Sequence, residues 1–276
     1  MKASRKSPSQ KQYDKSAESI SGSLTGRPVD SPGSMSYTVV CRGRPEPEQD
    51  LVISFGESEA MLDEEIVKLA KQIHGNLVPE YFARCWSRSL PFDHKIQAEK
   101  QEGIRKRFAR LVDASPSSSL STSMLSKLVE NLPLFFSQNY PQVPTHNDFS
   151  VTNILLDENE FDITGIVDWS LATVMPFGMD LDILFLTTGF MTRDGWHDYA
   201  CKTVLLYTFW KDFWTVSEIE EERRGRIQSL AEAAGRIGAI LRLAFRRNAD
   251  GSPSEKVLVS KSRMKQLGAC FGDQVL

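Results

Sequence analysis

Cysteine is scarce and scattered in this chain. Cys41, Cys85, Cys201 and Cys270 are the four among 276 residues, and no two stand at C-x-x-C spacing. That argues against a zinc site and against a disulfide framework, and reduced thiols in a cytoplasmic protein are expected. Long apolar runs are missing too, with none near the ~18 residues that a bilayer span needs. The N-terminus is polar and lacks the apolar core of a signal peptide. Charge of one sign is not in excess. A net charge of −3 supplies no bulk attraction to nucleic acid or to an anionic membrane, so neither is expected as a partner. A phosphate-cradling G-x-G-x-x-G is also absent. Gly22 to Arg27 has two glycines at the wrong spacing and reads as linker.

What is present is ordinary for a folded chain. Hydrophobic residues make up 41% and charged residues 25%, and the length suits one two-lobed domain or two small ones. Residues 1–35 are rich in Ser and Lys and poor in bulky apolar groups. Such a segment buries too little surface to offset its ordering entropy, so a disordered tail is expected. From Ser36 the pattern changes. Residues 37–41 and 51–55 are β-prone runs on either side of a polar turn with Gly and two Pro. A helix is expected over roughly 59–74, where Leu62, Ile66, Leu69 and Ile73 share one face. Residues 95–112 read as a charged helix, 114–123 as a low-complexity loop and 124–137 as another helix. Beyond Asp180 the chain reads as helical. The aromatic residues of 205–213 are expected in the core. Ser217 and Glu220 form a capping-box pattern at the head of a long helix with Ile227, Leu230, Ala234, Ile237 and Leu241 on its apolar face. Arg242, Arg246 and Arg247 read as a solvated face of that helix.

The densest chemistry lies in His146-Asn147-Asp148-Phe149-Ser150-Val151-Thr152-Asn153. Ile154-Leu155-Leu156 is a short strand, 157–162 a turn rich in Asp and Asn, and 163–167 a second strand, together an antiparallel hairpin. Asn153 opens the first strand and Asp168 follows the second, so both project from the same end. Asp148 sits in the loop just before. An amide oxygen and a carboxylate converging on one point suit Mg²⁺, a hard cation that prefers oxygen. A further carboxylate nearby can accept a hydroxyl proton. Alone, H-x-D is commonly a turn cap; the joint pattern H-x-D-x-x-x-x-N, strand, turn, strand, Asp is far more specific, and it shares the logic of a kinase catalytic loop with its metal-binding aspartate.

On these residues, and on the Pro-Phe-Gly-Met-Asp-Leu that ends near 181, the stretch 144–186 resembles the aminoglycoside phosphotransferase/choline kinase-like family, in detail its fungal branch. The resemblance implies an α+β, bilobal, protein-kinase-like fold. Residues 36–94 would form a small, reduced, β-rich N-lobe with a shortened hinge, and 95–276 a mainly helical C-lobe. It implies ATP-dependent phosphorylation of a hydroxyl on a small metabolite. Asp148 becomes the catalytic base, Asn153 and Asp168 the Mg²⁺ ligands, His146 a residue that orients the loop, and Asp180 the aspartate that braces it. By position, Glu65 resembles the glutamate that pairs with a strand lysine; its alternative is a solvent-facing residue one turn from Lys68. The second strand and its end, Val52-Ile53-Ser54-Phe55-Gly56-Glu57, depart from the family in having no Lys or Arg, and 87–94 makes a poor hinge strand. A catalytically weak or inactive kinase fold that binds a ligand or partner is therefore the second reading. Neither the acceptor nor the oligomeric state is named by the sequence.

Overall fold

A computed structural model describes residues 9–22, 25–28, 36–42, 51–56, 78–114, 122–156, 163–192, 195–248, 253–258 and 261–271. The expected helix over 59–74, and Glu65 with it, lies outside the described residues. Contacts divide the chain into two units, Met1–Leu62 and Asp63–Leu276.

In the first unit, helix α1 (Gln10–Ser21) is followed by strands β1 (Thr25–Pro28), β2 (Ser36–Arg42) and β3 (Leu51–Gly56). The strands form one antiparallel sheet in the order β1-β2-β3. Within the stretch read from sequence as tail and linker, residues 10–21 form helix α1 and residues 25–28 strand β1. The helix is polar, yet Tyr13 stacks on Tyr37 with ring centroids 5.5 Å apart, and on Phe55 at 4.9 Å. The Tyr37 hydroxyl also donates to Asp14 at 2.7 Å. Two aromatic contacts and a small cluster of Ala17, Val39 and Cys41 give the segment a surface to fold against, which its own composition conceals.

The second unit is mainly helical. Helix α2 (Val78–Ser87) packs on α6 (Lys202–Ser217) through a dense aromatic core. The contact division falls ahead of α2. Helix α3 (His94–Ala114) starts where Asp93 Oδ1 accepts from the Lys95 and Ile96 backbone N–H groups at 2.9 and 3.0 Å, an N-cap that satisfies two orphan donors. Its Ile104, Phe108 and Leu111 are buried at i, i+4 and i+7, one helical face. Helix α4 (Thr122–Phe135) leads to strand β4 (Gln142–Thr145). Strands β5 (Ile154–Leu156) and β6 (Ile163–Ile166) form the expected antiparallel hairpin, with Ile154 opposite Ile166. Strand β7 (Thr173–Pro176) returns to pair with β4, Thr145 opposite Thr173. A short helix α5 (Asp182–Leu186) and a hairpin of β8 (Gly189–Met191) and β9 (Trp196–Asp198) follow.

Phe209, Trp210, Phe213 and Trp214 of α6 are buried, as expected for core aromatics. Helix α7 (Glu221–Leu243) buries Ile227, Ala234 and Ile237. The capping box assigned to Ser217 is not formed. That serine ends α6, because its aromatic face keeps packing to that point, and the chain reverses at Glu218 in the left-handed region with φ 54°. Beyond α7, strands β10 (Phe245–Arg247) and β11 (Pro253–Val257) pair, and helix α8 (Lys261–Phe271) closes the described chain.

Candidate active site

The segment between β4 and β5 is held by hydrogen bonds from several directions. Asp180 lies in the turn after β7 and is buried. Its Oδ2 accepts from the His146 backbone N–H at 2.5 Å, and its Oδ1 accepts from that of Asn147 at 3.1 Å. Burial raises the Asp180 carboxyl above its ordinary range, and His146 with the two backbone donors works against that rise. Asn147, at φ 62°, turns the chain sharply. Its side-chain N–H donates to Leu171 O at 2.9 Å.

His146 is fully buried. Its Nε2 lies 2.8 Å from Val167 O, and its Nδ1 lies 3.3 Å from the Asp148 backbone N–H. An N–H must meet a nitrogen lone pair, so the network assigns the proton to Nε2, which donates to Val167. The ring lies against Trp169 at 4.8 Å and against Phe149 at 5.7 Å. Phe149 is fully buried beneath the loop with Tyr81 and Phe82.

Asn153 Nδ2 donates to the Asp148 backbone carbonyl at 2.8 Å. That bond fixes which way the amide faces and leaves Oδ1 as the acceptor end. Val167 N–H donates to Asn153 O at 2.9 Å, so the hairpin brings Asp168 beside Asn153. Asp168 takes the left-handed conformation, φ 61° and ψ 57°, which an L-residue adopts at a cost of about 1–3 kcal/mol when its surroundings enforce it. Its Oδ1 accepts from Ser170 Oγ at 2.8 Å. Asp148, Asn153 and Asp168 thus belong to one loop-and-hairpin unit, and His146 and Asp180 support that unit from below. Among the described residues no three His, Cys, Asp or Glu side chains gather as a metal cage. The donors present are one amide oxygen and one carboxylate, a set that suits an ion which keeps waters and arrives with phosphate oxygens.

Two arginines matter in a way that their sequence position conceals. Arg242 is not on a solvated face: its side chain is 14% exposed. Its guanidinium donates to Phe149 O at 2.5 Å and lies 2.5 Å from Asp182 Oδ2, the latter a charge contact without good hydrogen-bond alignment, since that oxygen has no hydrogen-bond partner. Burial pushes the Asp182 carboxyl up to about 7, against the opposing pull of Arg242. Arg247 donates to Asn147 O and stands 3.7 Å from Asp148 Oδ1. Burial lowers the Arg247 guanidinium from its ordinary range, and the Asp148 carboxylate partly offsets this. Both residues leave α7 and β10 roughly a hundred positions after the loop, so no local pattern could have marked them.

Glycines bring α7 against the turn that carries Asp180. A Cβ on Gly238 would stand 1.8 Å from Met179 O, and Gly178, at φ 97°, lies so close to Ala231 that a Cβ would meet its carbonyl oxygen at 2.6 Å. Only a residue without a side chain allows this approach.

The profile of the phosphotransferase enzyme family (APH) matches residues 51–203, more than half of the chain and all of the loop-and-hairpin unit. The chain belongs to the phosphotransferase enzyme family. Among solved structures, this phosphotransferase-family chain is similar to the aminoglycoside phosphotransferase APH(3'')-Id from Streptomyces rimosus ATCC10970. The identity is 14%, covering 82% of this chain and 98% of the other, with a TM-score of 0.33. No curated protein matches. Family membership carries phosphoryl transfer as the general chemistry.

Proposed function

We propose that the protein transfers the γ-phosphoryl group of ATP to a hydroxyl of a small molecule, within a two-lobed kinase-like architecture in which the smaller, β-rich lobe is reduced. The observation that carries this reading is the fixed relation of Asp148 and Asn153: the amide of one grips the backbone of the other, and Asp180 clamps the same loop. Asp148 accepts the proton of the acceptor hydroxyl at a carboxylate oxygen. The acceptor oxygen then bonds to the γ-phosphorus, the bond to the β–γ bridging oxygen breaks, and ADP leaves. Asn153 Oδ1 and the Asp168 carboxylate would hold Mg²⁺, which when bound neutralises charge on the phosphate oxygens. His146 and Asp180 act as positioning residues. Arg247 steadies the Asp148 carboxylate from the side. Free thiols at Cys41, Cys85, Cys201 and Cys270 are consistent with a cytoplasmic setting.

The test is thermal stability with Mg²⁺ and ATP or GTP, followed by ADP release over a panel of hydroxylated metabolites. Asp148→Asn and Asp168→Ala are each expected to remove turnover while the far-UV spectrum is unchanged. Full turnover by either variant would overturn the assignment of roles. One observation favours a second reading, a kinase fold that binds without turnover: the strand Leu51–Gly56 has no Lys or Arg to grip the nucleotide phosphates. Stabilisation by nucleotide with no turnover on any acceptor would select it.

A further inference from the structure

Beside the catalytic loop lies a cavity of about 460 Å³. It sits on the Asn147 and Asp180 side, and Asp148, Asn153 and Asp168 are not part of its wall. Arg247, which stands 3.7 Å from Asp148 Oδ1, is part of the wall, so the space lies next to the carboxylate that would take the acceptor's proton. Most of the wall is apolar, formed by residues such as Ile104, Met175, Leu241 and Phe245. The charged groups on it are unevenly matched. Lys100, Arg107, Arg242, Arg246 and Arg247 line it, against Glu99, Asp180 and Asp182.

Two of those three acids are already engaged. Asp180 is turned to the loop backbone, and Asp182 faces Arg242. Among the described residues no carboxylate meets the Lys100 ammonium group; it donates to Val174 O and, at 3.2 Å, to Thr173 Oγ1. Arg107 has a buried Nε with no hydrogen-bond partner among the described residues. Burial lowers both Lys100 and Arg107 from their ordinary ranges, and for Arg107 the Glu255 carboxylate works against that fall without cancelling it, the mark of cations taken from water without full compensation. The whole chain carries a net charge of −3, so a cationic wall here runs against the general balance. An anionic ligand group would balance the excess of cations on this wall.

We propose that the acceptor is an amphipathic hydroxy compound with an anionic end group, a carboxylate, phosphate or sulfonate. Its charged end meets Lys100 and Arg107, its body lies on the apolar wall, and its hydroxyl reaches toward Asp148. This rests on the phosphotransferase reading for the role of the hydroxyl, while the charge preference of the cavity stands apart from it. A cationic polyamine would face repulsion from the same wall.

The experiment uses the full chain and three probes of one length that differ in one end: 6-hydroxyhexanoate, 1,6-hexanediol and 6-amino-1-hexanol. Binding is read by titration calorimetry without nucleotide, and turnover by ADP release with Mg²⁺ and ATP. The hydroxy acid is expected to bind at least ~10-fold more tightly than the diol, and the amino alcohol most weakly. Arg107→Gln and Lys100→Met are each expected to collapse the preference of acid over diol. Equal binding of all three, a preference for the amino alcohol, or an acid preference that survives in both folded variants would overturn the proposal. If neither variant folds, the wild-type ranking decides alone. Selective binding of the acid with no turnover of any probe upholds the cavity's charge preference and counts against the phosphotransferase reading. Turnover without charge preference does the reverse.

Discussion

Replacing Asp180 tests the support of the loop directly. In Asp180→Ala the backbone N–H groups of His146 and Asn147 both lose their acceptor. Each buried donor left unpaired costs about 1–3 kcal/mol, so the two together cost roughly 2–6 kcal/mol. The carboxylate itself is buried at a penalty, seen in its raised pKa, and removing it returns part of that sum. A net loss of about 3 kcal/mol is expected. In Asp180→Asn one oxygen remains for one of the N–H groups, while the amide nitrogen faces the other, so about half that loss is expected, ~1.5 kcal/mol. All five tryptophans lie in the second unit, and Trp169 touches His146. Urea unfolding followed by tryptophan fluorescence at about pH 8 therefore reports on the right part of the chain. With a slope near ~2 kcal/mol per molar urea, the alanine midpoint should fall by about 1.5 M and the asparagine midpoint by about half as much. An alanine variant within ~0.5 kcal/mol of the parent would show that the loop does not depend on this carboxylate.

Asp182 is expected to make stability depend on pH. Its pKa rises from 3.8 to about 7 on folding, so the native state binds more protons than the unfolded chain across that window. Its contribution is complete below the unfolded value, declines by up to about 1.4 kcal/mol per pH unit, and is gone above the folded value. Asp182→Asn should show a flatter decline than the parent between those limits in denaturation measured at several pH values; parallel curves would refute the shift. Gly238→Ala must displace the Met179 backbone, which a new Cβ would meet at 1.8 Å, and should lose about 1–3 kcal/mol or more. Gly225→Ala, on the same helix with nothing within 4 Å, should instead gain about 0.5–1 kcal/mol from helix propensity. Melting curves that rank the two alike would contradict the packing described for α7.

Where a short segment carried its own pattern, the sequence was enough. The hairpin of β5 and β6, and with it the closeness of Asn153 and Asp168, follows from two β-prone runs around a turn rich in Asp and Asn. The α3 helix was legible in its charged composition, and the apolar face of α7 in its periodicity. Patterns fail where a contact comes from far along the chain. The helix Gln10–Ser21 has too little apolar surface to announce itself, and Tyr13 gains its partners only when β2 and β3 are in place. Arg242 reads as solvated because nothing nearby in the sequence shows the buried carbonyl and the carboxylate that it meets; Arg247 is exposed as expected, yet it also reaches Asn147 O and Asp148. Ser217 fits a capping pattern by spacing, but the aromatic packing of α6 uses that position first.

The family profile ends at residue 203, yet Arg242 and Arg247, which grip Phe149 O and Asn147 O, come after it. The loop between β4 and β5 is thus anchored by parts of the polypeptide that the family profile does not contain. A fragment cut at the end of that signature would keep every residue of the motif and lose two of its moorings, so a graft of the motif alone onto another scaffold would need those two guanidinium contacts rebuilt.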